Sequence, residues 1–353
     1  MTSRRVRYLV AAGIAVVLVM AIIAGRCTRS EKDEVSTSVG ELIPGQTPEG
    51  ESRPVSAKVW QATLALHIDI DPSQQADQPA DVALLGGKMF VVDTGHGRLL
   101  EVGADGKSFR ILDDQVDPKL VLSAPMAAVS SQGQLYVADS SAGRVLVVAP
   151  SGTVSRVISL AKGNSADALP PRPIGIVAWS DGSFAVSDAN NHRLIKYGAD
   201  GNLLWTVGSG TPATGDNGFN VPGGLALDKD GNVYVVDILN AQVKKYSIDG
   251  TFLSAFGESG DTAGRFSRAK AVAVDDAGNI YVSDGLGAAV QVFDQAGSYL
   301  GLVGRKDPAD QNSDSLFQAP HGLKIVDSKL YVVDRYAGLF VFDLPAIPQG
   351  TGA

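Results

Sequence analysis

The sequence predicts an all-β body, a six-bladed β-propeller of four-stranded blades, preceded by one transmembrane helix and a disordered tether. Three observations carry the propeller. An aromatic-Val-x-Asp strand recurs, ending at Asp93, Asp139, Asp237, Asp284 and Asp334, with a degenerate copy at Asp188 whose aromatic stands one position early at Phe184. The aspartates lie 46, 49, 49, 47 and 50 residues apart, the period of a propeller blade. Between them the apolar runs are of strand length and broken by turn residues, which leaves no room for a helix.

Each unit reads in the same order. An innermost strand follows Pro79, Pro125, Pro173, Pro222 or Pro320, with Arg268-Ala269 replacing the proline in the fifth copy. The second strand ends at the landmark aspartate, and a third includes runs such as Val145 to Val148 and Val243 to Tyr246. Asp105-Gly106, Ser151-Gly152, Asp200-Gly201 and Asp249-Gly250 then make tight hairpins into a fourth strand, with residue types that accept positive φ. The sixth copy stops after its third strand at Phe342-Asp343. A strand-like run from Val59 to Leu66, which belongs to no copy, is expected to supply the missing strand and close the ring.

The pattern Pro-x-Gly-[Leu/Ile]-Ala-[Val/Leu]-Asp, then Gly-Asn-x-Tyr-Val-x-Asp, then a polar loop and a strand ending in Tyr or Phe, resembles the NHL repeat. The resemblance covers 58 to 343 and is strongest in the fourth and fifth copies. It implies a six-bladed propeller, in agreement with the count.

Ahead of the propeller, Arg4, Arg5 and Arg7 precede an uncharged run from Tyr8 to Gly25. Eighteen helical residues span about 27 Å, close to the hydrocarbon thickness of a bilayer. Residues 1–27 are therefore expected to be a cytoplasmic tail and uncleaved signal anchor, with the body outside the bacterial cytoplasmic membrane. A lipoprotein signal at Cys27 is disfavoured because Arg26 stands where a small residue is needed. Residues 28–57, rich in Ser, Thr, Glu, Gly and Pro, read as a flexible linker, and 344–353 as a tail.

Charge narrows the partners. The first 27 residues hold four arginines and no acids, so the remainder carries 26 basic against 38 acidic side chains, a net of −12. Nucleic-acid binding rests on Lys and Arg meeting phosphates, so nucleic acid is not an expected partner. Cys27 is the single cysteine, and no intrachain disulfide can form.

Several residues invite chemistry. Asp93 with Arg98, Asp139 with Arg144, and Asp188 with Arg193 bracket a four-residue loop and suit a structural clamp. Copies four and five hold Gln242 and Ala289 at the arginine position and are expected to lack it. Asp228-Lys229-Asp230-Gly231-Asn232 opens like a calcium loop but lacks a third alternating oxygen and a closing glutamate, so it reads as a turn. Some propellers of this kind are lyases that hold zinc with three channel histidines. Here His321 alone matches such a position, where the other copies have Ala80, Met126, Ile174, Gly223 and Ala269 or Lys270. Lactonase-like propellers hold a divalent metal with Glu, Asn and Asp, yet only Glu101 and Glu258 occur between 58 and 343. No cofactor is assigned, and a channel zinc or calcium stays open.

The copies differ most in the loops joining blades, which share a face with the second-to-third-strand loops. That face is expected to collect Asn191, His192, Phe219, Arg265, Arg268, Lys270, His321, Arg335 and Tyr336 as binding residues. The reading is a membrane-tethered, extracytoplasmic binding or scaffold propeller that recruits a protein, peptide or envelope ligand. Its alternative is a metal-dependent lyase or lactonase at the mouth of the channel.

Overall fold

The computed structural model describes residues 60, 62–69, 76–103, 105–163, 167–306 and 313–345. The expected anchor and linker lie outside them. Among the described residues no helix is long and apolar enough to cross a membrane. They form a six-bladed propeller. Twenty-four strands, β1 to β24 in chain order, make six four-stranded antiparallel sheets.

The innermost strands are β2 (Pro79–Leu85), β6 (Pro125–Ser131), β10 (Pro173–Ala178), β14 (Pro222–Leu227), β18 (Ala269–Val274) and β22 (Pro320–Val326). Second strands end at the landmark aspartates as the period requires. Inner strands alternate little, because blades stack on both of their faces. Each apolar cluster accordingly draws on neighbouring blades: Phe90 and Leu99 share one with Val137 and Leu146, and Tyr281 and Val290 share another with Val332 and Phe340.

Ring closure comes from the other end of the chain, as expected. β1 (Thr63–Ile68) pairs antiparallel with β24 (Gly338–Asp343), giving the order β1-β24-β23-β22, where β23 is Lys329–Asp334. The strand begins later than Val59. Its far end is fastened: Ile68 is buried with Val102 and Leu339, and the His67 ring stacks on Phe340 at 4.1 Å.

All six landmark aspartates are at most 1% exposed, and each accepts from the backbone just ahead of its inner strand. The N–H groups of Asp77, Ser123, Arg172, Asn220, Arg268 and Ala319 donate to Asp93, Asp139, Asp188, Asp237, Asp284 and Asp334 at 2.6 to 2.9 Å. The repeated carboxylate thus holds the entry of the inner strand against the end of the second. This satisfies backbone donors that the turn would otherwise leave unpaired.

The clamp occurs in blades one to three, with Arg98, Arg144 and Arg193 Nε at 2.7, 2.8 and 3.0 Å from their aspartates. Blade four corrects the expectation that it is lost there. Lys244, two residues beyond Gln242, places Nζ 3.0 Å from Asp237 and donates to the carbonyls of Gly215 and Gly218. A longer reach from the next residue on the same strand face replaces the arginine. Blade six uses backbone alone: Gln318, Ala319, Tyr336 and Ala337 all donate to Asp334. Asp228 holds a turn, accepting from Asp230, Asn232 and Lys245.

Candidate functional site at the channel mouth

The inner strands approach so closely that the channel is nearly filled. A Cβ on Gly175 would lie 2.4 Å from the carbonyl oxygen of Gly223, and one on Gly322 would lie 2.5 Å from that of Ala80. The cavity beside Lys270 and His321 measures about 30 Å³, room for about one water, and a second of about 170 Å³ lies at the other end of the inner strands, between Val129, Leu227, Val274 and Ile325.

The mouth on the loop face is set by the first residue after each proline position. Ala269 pairs with Asp284 as Pro222 pairs with Asp237, so Lys270 is the fifth-blade member and the ring reads Ala80, Met126, Ile174, Gly223, Lys270, His321. Arg268 lies just ahead of β18, and Arg335 follows β23 on the same face. Arg268, Lys270 and Arg335 form no ion pair with any described residue. The Nε of Arg335 is buried and without a partner.

Electrostatics follow from that crowding. Burial, then the charges of Arg268 and Arg335, lowers the Lys270 ammonium to about 8, while Asp284 works the other way. His321 is lowered to about 3 by burial and by Arg335 and Lys270, so its ring is neutral at ordinary pH. Its Nδ1 lies 2.9 Å from the carbonyl of Ala80. An oxygen of that kind only accepts, so Nδ1 carries the proton and Nε2 is left as an acceptor. Ser283 Oγ fixes the His321 backbone by donating to its carbonyl at 2.8 Å.

One level deeper stands a residue that sequence reasoning missed. Asp81 occupies a ring position held elsewhere by Ala127, Gly175, Gly224, Ala271 and Gly322. It accepts from the N–H of Ala128 at 3.1 Å and faces Lys324 Nζ at 3.4 Å, bridging blades one, two and six. Burial raises its pKa against the pull of Lys324. A lone charge among Gly and Ala on an inner strand was the available signal.

The other expected binding residues divide. Tyr336 is exposed, as are Leu239 and Leu286 at the matching loop tips of blades four and five. Arg265 pairs with Glu258 at 3.1 Å and lines a different cavity from that of Lys270 and His321. Asn191 and Phe219 are not on the surface, being 2% and 0% exposed. Asn191 donates to Asp188 at 2.8 Å, and Phe219 packs on Tyr246 at 5.7 Å. His192 takes φ 47° at a loop corner, and its Nδ1 accepts from the N–H of Val221 at 3.0 Å. Its role is to hold the backbone.

Neither metal set raised by the sequence fits. Three histidines do not converge, no glutamate lies on an inner strand, and Lys270 stands beside the one histidine at the mouth. Among the described residues no three His, Cys, Asp or Glu side chains are grouped to hold an ion; what the mouth offers is a base and two guanidinium groups.

No family model matches the sequence, and no curated protein does. Solved structures do share the fold. A gluconolactonase from Xanthomonas campestris is 18% identical, with 82% of this chain and 92% of that one covered at a TM-score of 0.58. Virginiamycin B lyase from Staphylococcus aureus is 13% identical, with 81% and 100% covered at a TM-score of 0.55. A chain in a nidogen/laminin complex is 18% identical, with 70% and 85% covered at a TM-score of 0.51. Likeness at these identities is likeness of fold.

Proposed function

We propose that this propeller is an enzyme acting on an ester or lactone at the mouth of its central channel, with Lys270 as base and Arg268 and Arg335 as oxyanion partners. The observation that carries it is the crowding of Lys270 by Arg268 and Arg335, none of the three paired with a described carboxylate, beside the neutral His321 at the mouth. A lactonase and a lyase of the same fold both work on small molecules, which favours this reading over a recruiting scaffold. The metal in the earlier alternative is set aside because its ligands are missing from the matching positions.

The chemistry suits the residues. A neutral Lys270 amine takes a proton from the attacking water and returns it to the alcohol oxygen as the ester C–O bond breaks, or takes the proton from the carbon next to the carbonyl while the group on the following carbon leaves with its electron pair. In both cases negative charge grows on the carbonyl oxygen, where a guanidinium stabilises it in a site with little competing water. His321, neutral and held through Nδ1, offers Nε2 as an acceptor to a substrate hydroxyl. Hydrolysis and elimination differ in product, since only elimination leaves a carbon–carbon double bond.

The test is a screen of the full chain against δ-gluconolactone, γ-butyrolactone and an aryl ester. Lys270→Met is expected to abolish turnover, and Arg335→Gln to lower kcat by about 10²-fold. Activity untouched by Lys270→Met, or none on any ester or lactone, overturns the reading. The scaffold alternative keeps one support, that the fold also occurs in the nidogen/laminin complex, and the exposed Leu239, Leu286 and Tyr336 would be its contacts. For location we retain the outer face of the cytoplasmic membrane, argued from residues 4–25. Membrane fractionation with external protease tests it.

A further inference from the structure

Blade five departs from the side-chain clamp of blades one to four, and the departure leaves space. In blade three, Arg193 runs from Asp188 to the carbonyls of Ala161 and Lys162 in the loop ahead of the blade. Asn191 donates to the same Asp188 oxygen. In blade four, Asn240 and Lys244 do both jobs for Asp237. The matching residues in blade five are Gly287, Ala289 and Gln291. Ala289 pairs with Asp284 as Arg193 pairs with Asp188, so the register is kept and only the side chain is short. Gln291 takes the Lys244 position but turns to the loop, accepting from Gly264 N–H at 2.8 Å and donating to the Arg265 carbonyl.

The result is a cavity of about 440 Å³ between Ala289, Gly287 and the loop from Asp261 to Ser267. That volume lies in the range of small-molecule sites, about 300–1,000 Å³. At its wall Asp284 is 1% exposed. Its Oδ1 accepts from Arg268 and Gly287 N–H, whereas Oδ2 has the single donor Ser267 N–H at 2.7 Å. Asp334, the other landmark aspartate without a side-chain partner, has four backbone donors instead. Asp284 is therefore a buried carboxylate with acceptor capacity left over beside an open cavity.

We propose that this cavity is a binding site for a guanidinium group, which a ligand inserts where blades one to three carry their own arginine. The planar fork would donate to Asp284 Oδ2 and to loop carbonyls, as Arg193 does in blade three. The remaining lining agrees with such a guest. Asp261 adds a second carboxylate, Tyr299 an aromatic side chain, and Arg265 and Arg305 are already turned to Glu258 and to the Ser313 carbonyl. The cavity is lined by other residues than the channel mouth, and the proposal does not depend on the enzymatic reading.

Calorimetric titration of the full chain with ethylguanidinium chloride tests it, with n-propylammonium as the comparison cation. Saturable binding of ethylguanidinium is expected, tighter than that of the ammonium ion. Ala289→Arg restores the internal clamp and is expected to weaken binding by about tenfold or more. Gly287→Asn, which installs the donor seen in blades three and four, is expected to weaken it in the same direction and guards against a misfolded first variant. Arginine amide and a short arginine peptide should each displace ethylguanidinium if the pocket takes the group whichever molecule carries it. No saturable binding, equal binding of the ammonium ion, or unchanged affinity in both variants overturns the proposal.

Discussion

The clamp in blade four allows a sharp test through the pair Asp237 and Lys244. Both side chains are buried, Lys244 at 1% and Asp237 at 0% exposure. Lys244 also lies 5.2 Å from the Phe219 ring centre and is held by two loop carbonyls. Asp237→Asn keeps the shape but leaves the ammonium without its counter-charge. Breaking one side of a buried pair costs about 3–5 kcal/mol, and the two carbonyls should hold the loss to the lower end. Lys244→Met frees Asp237 from its cation, but the carboxylate keeps Asn220 N–H and Asn240 Nδ2, each at 2.7 Å. Its cost should be smaller, about 2 kcal/mol, in line with loss of a charged hydrogen bond. The double variant lacks both charges, so the two costs should overlap by about 1.5–3 kcal/mol. Urea melts of the four proteins measure this as shifts in midpoint at constant slope. Added salt should leave the coupling in place, because buried pairs are screened little. Additivity within about 0.5 kcal/mol would refute the clamp. The Arg265–Glu258 pair, whose side chains are 47% and 66% exposed, should show a coupling near zero in the same experiment.

Three further outcomes are expected. The Lys270 ammonium is lowered to about 8, so kcat/KM on any ester substrate should rise through about that pH as the amine becomes neutral. Arg335→Gln removes a neighbouring positive charge and should move the limb to higher pH; a limb that stays put refutes the coupling. His321 sits at about 3 when folded against an ordinary 6.5. Between those values the unfolded chain binds more protons, so stability should fall as pH drops below 6.5. His192, also lowered by burial, adds to that slope, and His321→Asn should flatten it in melts between pH 6.5 and 5. Ile68→Ala should cost about 2–4 kcal/mol. Deleting residues 62–68 uncovers the edge of β24, and unchanged cooperative melting after that deletion rules out closure by β1.

The blade count, strand order and closure were legible because they rest on local pattern. An aromatic-Val-x-Asp strand and its turn repeat in every copy, and a surplus strand at one end matched a missing one at the other. The arginine clamp was legible for the same reason, since Asp93 and Arg98 are near in sequence as well as in space. Lys244 escaped because it arrives from two residues further along the strand. Asp81 escaped because its partners Ala128 and Lys324 come from other blades. Lys270 could be narrowed only to two positions until pairing with Asp284 set the register.

Sequence alone determined the propeller, because strand-length apolar runs and turn chemistry are properties of short segments and the period simply repeats them. Tertiary structure decided which departures from the repeat share a place. Arg268, Lys270, His321 and Arg335 come together because the ring folds two adjacent blades toward one axis. Asn191 and Phe219 sit on loops of the same face, yet packing turns them inward. The open cavity beside Asp284 is also a tertiary fact: Gly287 and Ala289 are unremarkable as letters, and only Asn191 and Arg193, which hold Asp188 from the same places in blade three, give their small size a meaning.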